Sequence, residues 1–151
     1  MAFLIDATLE IEAPAELVWE VITDFPRYGE WNPFIVACET TLKPGDPIDL
    51  RVALTSRPQK QREWILSHTP GEQFTYSMKP APLGLLRSRR QHKVSALGPA
   101  RCRYESHFEL AGTLRPLVTA LLGSNLKRGF AGMTAGIKTR AEQLQRQRGK
   151  A

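Results

Sequence analysis

The chain has 151 residues, of which 42% are hydrophobic and 24% are charged, a balance typical of one globular domain. No stretch approaches the roughly 20 apolar residues that a transmembrane helix needs. Residues 1–12 lack the basic start and the small-residue cleavage site of a signal peptide. These features exclude disordered, fibrous and membrane-spanning classes and predict a cytoplasmic protein.

The formal net charge is +6, and much of the excess lies in residues 87–93 and 140–150. No helix-turn-helix, RRM-like or zinc-finger pattern organises these charges, so we expect solvated basic faces and no nucleic-acid partner. Cys38 and Cys102 are isolated thiols without a CxxC pair or a histidine at metal-ligand spacing. Phosphate-loop, nucleophile-elbow and HExxH motifs are absent, and we expect neither a cofactor nor a metal.

Apolar and polar residues alternate over residues 3–11, which predicts a half-buried first strand. Pro14 and Glu16 then indicate a helix start, and apolar residues at helical spacing follow. Pro26 and Gly29 end that helix, so the next residues are predicted to form a turn or a second short helix.

Residues 33–112 predict six strands in series, separated by proline- and glycine-containing turns, and therefore an antiparallel meander. The segment around residues 62–68 is ambiguous, because Trp64 and Leu66 compete with Ile65 for the inner face. After Gly112 the apolar period changes to three or four residues, which predicts a long amphipathic C-terminal helix.

This order of elements, with the run IEAPAELVWEVITDFPRYGEWNPFI over residues 11–35, resembles the SRPBCC superfamily, the START-like group that includes polyketide cyclases. ThrProGlyGlu at 69–72 and LysArgGlyPheAlaGlyMet at 127–133 are similar to that family's turn before the fifth strand and its last helix. The resemblance implies an α+β helix-grip fold, with two short helices after the first strand. A seven-stranded curved antiparallel sheet would wrap around the C-terminal helix and leave a cavity between them. We expect one such domain over residues 1–147 and a tail over 148–151.

His92 shares a predicted strand face with Arg90 and Val94, so an imidazole and a guanidinium are expected to face the cavity. Together they could hold a carboxylate, phosphate or enolate, with His92 as the candidate general acid or base. Alternatively, Arg90 reaches water at the cavity rim and His92 hydrogen-bonds a neighbouring strand.

Hydroxyl and aromatic side chains complete the predicted ligand site. The hydroxyl groups could orient a ligand or pair locally inside the core. Trp31 and Trp64 could stack on a ring, although Trp31 could equally close the core beneath the small helix. The predicted ligand contacts are Trp31, Trp64, Tyr76, Arg90, His92, Tyr104, Ser106, Phe108, Phe130 and Met133.

Two further features have open interpretations. Gly129, Gly132 and Gly136 lie at helical spacing, which indicates either close packing of the last helix or room for a ligand beside it. Residues 80–86 form an apolar loop followed by arginines, which fits a portal, an oligomer contact, an anionic membrane contact, or a loop folded over the cavity mouth.

The favoured function is binding or carriage of a hydrophobic, ring-containing small molecule in the internal cavity. One alternative is a polyketide cyclase/dehydratase-like enzyme that uses acid and base groups of the pocket. A second alternative is a lipid-handling protein that docks on anionic membranes. The fold alone does not choose among these three hypotheses. A homodimer is compatible with each of them.

Overall fold

The computed structural model describes residues 1–149. Strand β1 (Phe3–Ile11) is followed by helix α1 (Ala15–Thr23) and a short 3-10 helix (Phe25–Glu30). Six strands come next: β2 (Ile35–Thr40), β3 (Pro47–Val52), β4 (Gln59–Thr69), β5 (Gln73–Ser77), β6 (Arg87–Gly98) and β7 (Arg101–Ala111). A second 3-10 helix (Pro82–Gly84) precedes β6, and helix α2 (Arg115–Gly149) ends the described chain.

The strands form one antiparallel sheet in the order β1-β7-β6-β5-β4-β3-β2. Strands β2 to β7 are a meander, and β1 joins the free edge of β7, with Phe3 opposite Leu110. The sheet curls around α2, which confirms the predicted helix-grip fold. The two predicted short helices are α1 and the first 3-10 helix.

Helix α2 faces the sheet with one apolar stripe, because its buried hydrophobic residues recur every three or four positions. This stripe consists of Leu126, Phe130, Met133, Ile137 and Ala141, and it joins the same core as the inward residues of the strands. The helix continues to Gly149, where Arg148 forms an ion pair with Glu20. Of the predicted tail, residues 148 and 149 are therefore helical, and residues 150 and 151 lie outside the described residues.

The glycines of α2 allow a close approach of the chain that follows the first 3-10 helix. A Cβ atom on Gly129 would lie 2.3 Å from ring carbons of Phe34. A Cβ on Gly136 would lie 2.9 Å from the carbonyl oxygen of Trp31. Close packing, rather than room for a ligand, therefore explains these two positions.

Within the described part of the chain, no helix combines the length and the hydropathy needed to cross a membrane. Cys102 is buried and Cys38 is partly buried, and both are free thiols. Burial raises the pKa of the Cys102 thiol to about 11, so the reactive thiolate form is disfavoured at neutral pH.

Candidate functional site

A cavity of about 210 Å³ lies between α2 and the concave face of the sheet. Most of its wall is apolar, as is typical of small-molecule sites. The apolar lining residues are Phe34, Ile35, Leu50, Val52, Leu54, Met78, Leu86, Phe108, Leu110, Val118, Leu122, Leu126 and Phe130. Five polar side chains also reach the wall: Gln61, Glu63, Tyr76, Ser88 and Arg90.

Arg90 is the cation of the cavity wall, and only 2% of its surface is exposed. Its Nη1 donates hydrogen bonds to the Ser106 Oγ at 2.6 Å and to the His107 carbonyl oxygen at 3.3 Å. Its guanidinium carbon lies 4.8 Å from the centre of the Phe130 ring. The Nε of Arg90 is buried and has no hydrogen-bond partner. Burial shows that the alternative of an arginine reaching water at the rim is wrong.

Glu63 supplies a carboxyl group to the same wall and is 8% exposed. Gln61 Nε2 donates a hydrogen bond of 2.7 Å to its Oε2. Burial raises the pKa of Glu63 to about 7, although the Gln61 hydrogen bond and the charge of Arg90 both act to lower it. No ion pair joins Glu63 to Arg90 within residues 1–149. With a pKa of about 7, the Glu63 carboxyl exchanges its proton near neutral pH.

The register of β4 explains why Glu63 faces inward. Ile65 is buried, and strand alternation then places Glu63 on the same face and Trp64 and Leu66 on the other. Glu63 also lies opposite Ile48 of β3, whose side chain belongs to the core. The sequence interpretation missed Glu63 because it left this strand ambiguous, and placing Ile65 inside would have found it.

His92 and Tyr104 form a buried polar pair beneath the cavity wall. The His92 Nδ1 lies 2.6 Å from the Tyr104 hydroxyl oxygen, and the His92 ring centre lies 4.7 Å from that of Phe74. Burial, and to a lesser extent the charge of Arg90, lowers the pKa of His92 well below 6.5. The imidazole is therefore neutral near pH 7, but it does not line the cavity.

The ten predicted ligand contacts fall into three groups. Four of them line the cavity: Tyr76, Arg90, Phe108 and Phe130. Four more are buried behind its wall: His92, Tyr104, Ser106 and Met133. Ser106 and Met133 each contact the guanidinium of Arg90, the Met133 Sδ at 3.8 Å from Nη2. The second group therefore supports cavity residues instead of contacting the cavity itself.

The two tryptophans lie elsewhere, and their positions correct the prediction that they stack on a ligand. Trp31 packs against the ring of Tyr28, with centres 5.2 Å apart, and against Gly136 of α2. This matches its alternative role of closing the core beneath the small helix. Trp64 points to the opposite face of the sheet, because it alternates with the inward residues Glu63 and Ile65.

A helix held by a curved seven-stranded sheet, with a mostly apolar cavity between them, defines a START-like helix-grip protein. The sequence profile of the family described as polyketide cyclase / dehydrase and lipid transport matches residues 2–142, and the chain belongs to this family. Among curated proteins, none has a sequence that matches this chain.

Solved structures with the same fold include both enzymes and a protein described only by its superfamily. The Zhui aromatase/cyclase from Streptomyces sp. R1128 has a TM-score of 0.76 at 15% identity, and the match covers 95% of each chain. A START superfamily protein from Mycobacterium smegmatis has a TM-score of 0.70 at 19% identity, covering 93% of this chain and 98% of that one. Norcoclaurine synthase from Thalictrum flavum, in complex with dopamine and hydroxybenzaldehyde, has a TM-score of 0.69 at 17% identity, covering 95% and 88%. Identities this low establish the shared fold.

Proposed function

We propose that this protein binds a small, hydrophobic, ring-containing molecule that carries an anionic oxygen, and that this oxygen contacts Arg90. Two observations on Arg90 carry the proposal: the residue lines an apolar cavity, and its buried Nε has no hydrogen-bond partner. Leaving a buried donor unsatisfied is unfavourable by about 1–3 kcal/mol, and more for a charged group. A carboxylate, phenolate or enolate oxygen would remove that penalty.

The shape and composition of the wall support the ring-containing part of the ligand. Phe108 and Phe130 lie with ring centres 4.7 Å apart, and Phe34 packs against Phe130 at 5.0 Å. The cavity volume of about 210 Å³ is smaller than the roughly 300–1,000 Å³ of drug-sized sites, which favours a ligand of one or two rings. The ring-containing molecules bound to the norcoclaurine synthase of similar fold agree with this class.

Binding of matched two-ring compounds tests the proposal. We expect 2-naphthoate to bind at least about tenfold tighter than naphthalene or 2-naphthylamine in calorimetry, because only the carboxylate pairs with the cation. Arg90→Met should abolish this preference. Arg89→Met is the matched control, because Arg89 is exposed on the same strand and should leave the preference intact. Equal affinity for the three compounds, or a preference that survives Arg90→Met, would contradict the proposal.

A second candidate, an enzyme acting on enolisable substrates, is favoured by one observation: Glu63, with a pKa near 7, shares the wall with Arg90. The Glu63 carboxylate would remove a proton from the carbon next to a carbonyl group. Arg90 would stabilise the resulting enolate oxygen, and protonated Glu63 would return the proton to carbon or to a departing hydroxyl group. The family description, which includes cyclases and dehydrases, supports this chemistry.

Hydrogen–deuterium exchange separates the enzyme from the carrier. With 2-tetralone in D₂O, an enzyme would accelerate exchange at the carbons next to the carbonyl, which NMR follows directly. Glu63→Gln should then reduce the rate by roughly 100- to 10,000-fold with little change in 2-naphthoate affinity. Glu39→Gln, an exposed glutamate of β2, is the control. No acceleration by the wild type, together with tight binding of 2-naphthoate, would support a carrier.

A further inference from the structure

Four exposed leucines lie together beside one end of the cavity, and we call them the leucine patch: Leu83, Leu114, Leu117 and Leu121. Leu83 belongs to the loop before β6, Leu114 immediately precedes α2, and Leu117 and Leu121 lie in the first turns of α2. Backbone hydrogen bonds join the two segments, from Thr113 N to the Gly84 oxygen and from Leu114 N to the Leu85 oxygen. The patch is therefore one continuous surface built from two segments.

Leu83 is the most prominent member of the patch, with 96% of its surface exposed. Its φ angle of 59° lies in the left-handed region, which is unfavourable for a bulky side chain. Neither burial nor backbone preference stabilises this arrangement in water. An apolar residue held exposed in such a conformation indicates contact with something outside the chain.

In the sequence, the charged residues that flank the two segments of the patch are all positive. The sequence contains no Asp or Glu over residues 73–104 or over residues 110–141. Lys79, Arg87 and Arg115 flank the two segments of the patch. Among residues 1–149, none of these three cations forms an ion pair. The patch therefore fits an apolar surface that carries negative charge.

We propose that the leucine patch docks on anionic membrane surfaces. Its leucines enter the boundary between headgroups and acyl chains, and the flanking cations pair with the negative headgroups. A bilayer is the partner that matches both features, because its acyl-chain boundary takes exposed leucines and its anionic headgroups take flanking cations.

The position of the patch also suggests what docking achieves. Leu86, Val118 and Leu122 line the cavity and belong to the same two segments as the leucine patch. An apolar ligand could therefore pass between bilayer and cavity with little exposure to water. This route rests on the proposed function, whereas docking itself does not.

Flotation with vesicles tests docking directly. The wild type should float with vesicles of phosphatidylcholine and phosphatidylserine, much less with phosphatidylcholine alone, and less as salt increases. The triple variant Leu83→Ser, Leu117→Ser, Leu121→Ser should bind at least about tenfold more weakly. The matched control is Leu4→Ser, Leu66→Ser, Leu97→Ser, which removes three exposed leucines outside the patch and should bind like the wild type.

A second readout reports whether the patch enters the bilayer. Leu83→Trp should shift its fluorescence to shorter wavelength with anionic vesicles but not with soluble polyglutamate, whereas Leu4→Trp should show no shift. Absence of wild-type flotation, or equal loss in both triple variants, would overturn membrane docking. An equal fluorescence shift with polyglutamate would also overturn it, because charge attraction alone would then explain the response. Self-association that depends on the patch, without flotation, would overturn it as well, because the patch would then bind a second copy of the chain. Affinity for 2-naphthoate, measured without vesicles, keeps a failure of the proposed function distinguishable from a failure of docking.

Discussion

Arg90 Nη1 donates a 2.6 Å hydrogen bond to the Ser106 hydroxyl on the neighbouring strand, while Arg90 Nε has no partner. Arg90 lies directly opposite Phe108 in the β6–β7 register, so its side chain reaches along the strand to Ser106. Ser106 thereby holds Nη1 of the guanidinium, while Nε keeps no partner. This makes Ser106 a positioning residue for the proposed anion site.

The Arg90–Ser106 contact predicts strong coupling between the two side chains. Ser106→Ala should lower the free energy of unfolding by about 1–3 kcal/mol, because a charged donor loses a buried acceptor. In an Arg90→Met background the same change should lower it by less than about 0.5 kcal/mol, because no guanidinium then needs the hydroxyl. Urea unfolding of the four proteins measures the coupling. Additive effects would show that the hydrogen bond does not position Arg90.

Glu63 predicts a loss of stability as pH rises. Its pKa is raised by burial to about 7 from 4.5, so the folded protein holds this proton more tightly than the unfolded chain. Stability from this group is complete below about pH 4.5 and decreases as pH rises to about 7, by roughly 3 kcal/mol in total. Glu63→Gln keeps the acceptor for Gln61 and should remove this decrease.

The comparison of urea unfolding at pH 5 and pH 8 tests the effect of Glu63. We expect Glu63→Gln to be more stable than the wild type at pH 8 and nearer to it at pH 5. Glu39→Gln, at an exposed position, should show no such pH-dependent difference. Identical pH profiles for Glu63→Gln and the wild type would mean that Glu63 does not change its proton on unfolding.

Period and turn signals in the sequence predicted the element order and the inward position of Arg90, because strand alternation and helical spacing are local properties. The SRPBCC resemblance supplied the way these elements assemble. Glu63 was missed because β4 carries Trp64 and Leu66 on its outer face, so its hydropathy pattern did not reveal its orientation. The local sequence pattern also could not predict which of the inward-facing residues contact the cavity. His92 and Tyr76 both face inward, but only the Tyr76 side chain reaches the cavity, because depth depends on how α2 packs over the sheet.

The glycines of α2 give a matched pair of substitutions. A Cβ on Gly129 would meet the Phe34 ring at 2.3 Å, whereas a Cβ on Gly132 would meet the Pro33 Cγ at 3.2 Å. Gly129→Ala should therefore lower stability by about 1–3 kcal/mol. Gly132→Ala should be near neutral or gain up to about 1 kcal/mol from helix propensity, because its neighbour needs to move only slightly. Thermal unfolding of both variants is the measurement, and a loss for Gly132→Ala equal to that for Gly129→Ala would contradict the close-packing account.

His92 predicts a pH dependence opposite in sign to that of Glu63. Burial, reinforced by the charge of Arg90, lowers the pKa of His92 well below 6.5 in the folded protein. The unfolded chain therefore takes up a proton at this residue before the folded protein does. The stability from neutral His92 is complete above about pH 6.5 and decreases by up to about 1.4 kcal/mol per pH unit below it.

Between about pH 4.5 and 6.5 the contributions of Glu63 and His92 oppose each other, so the wild-type profile alone conceals both. His92→Phe should remove the acid-side loss while Glu63 remains, so its stability should rise relative to the wild type as pH falls from 7 to 5. The imidazole carbon shifts of His92 in NMR give an independent check: they should stay constant from pH 8 to pH 5, since the ring remains neutral against Tyr104. A titration of these shifts near pH 6.5 would show that the buried pair opens to water, and the layer behind the cavity wall would then be less rigid than its hydrogen bonds indicate.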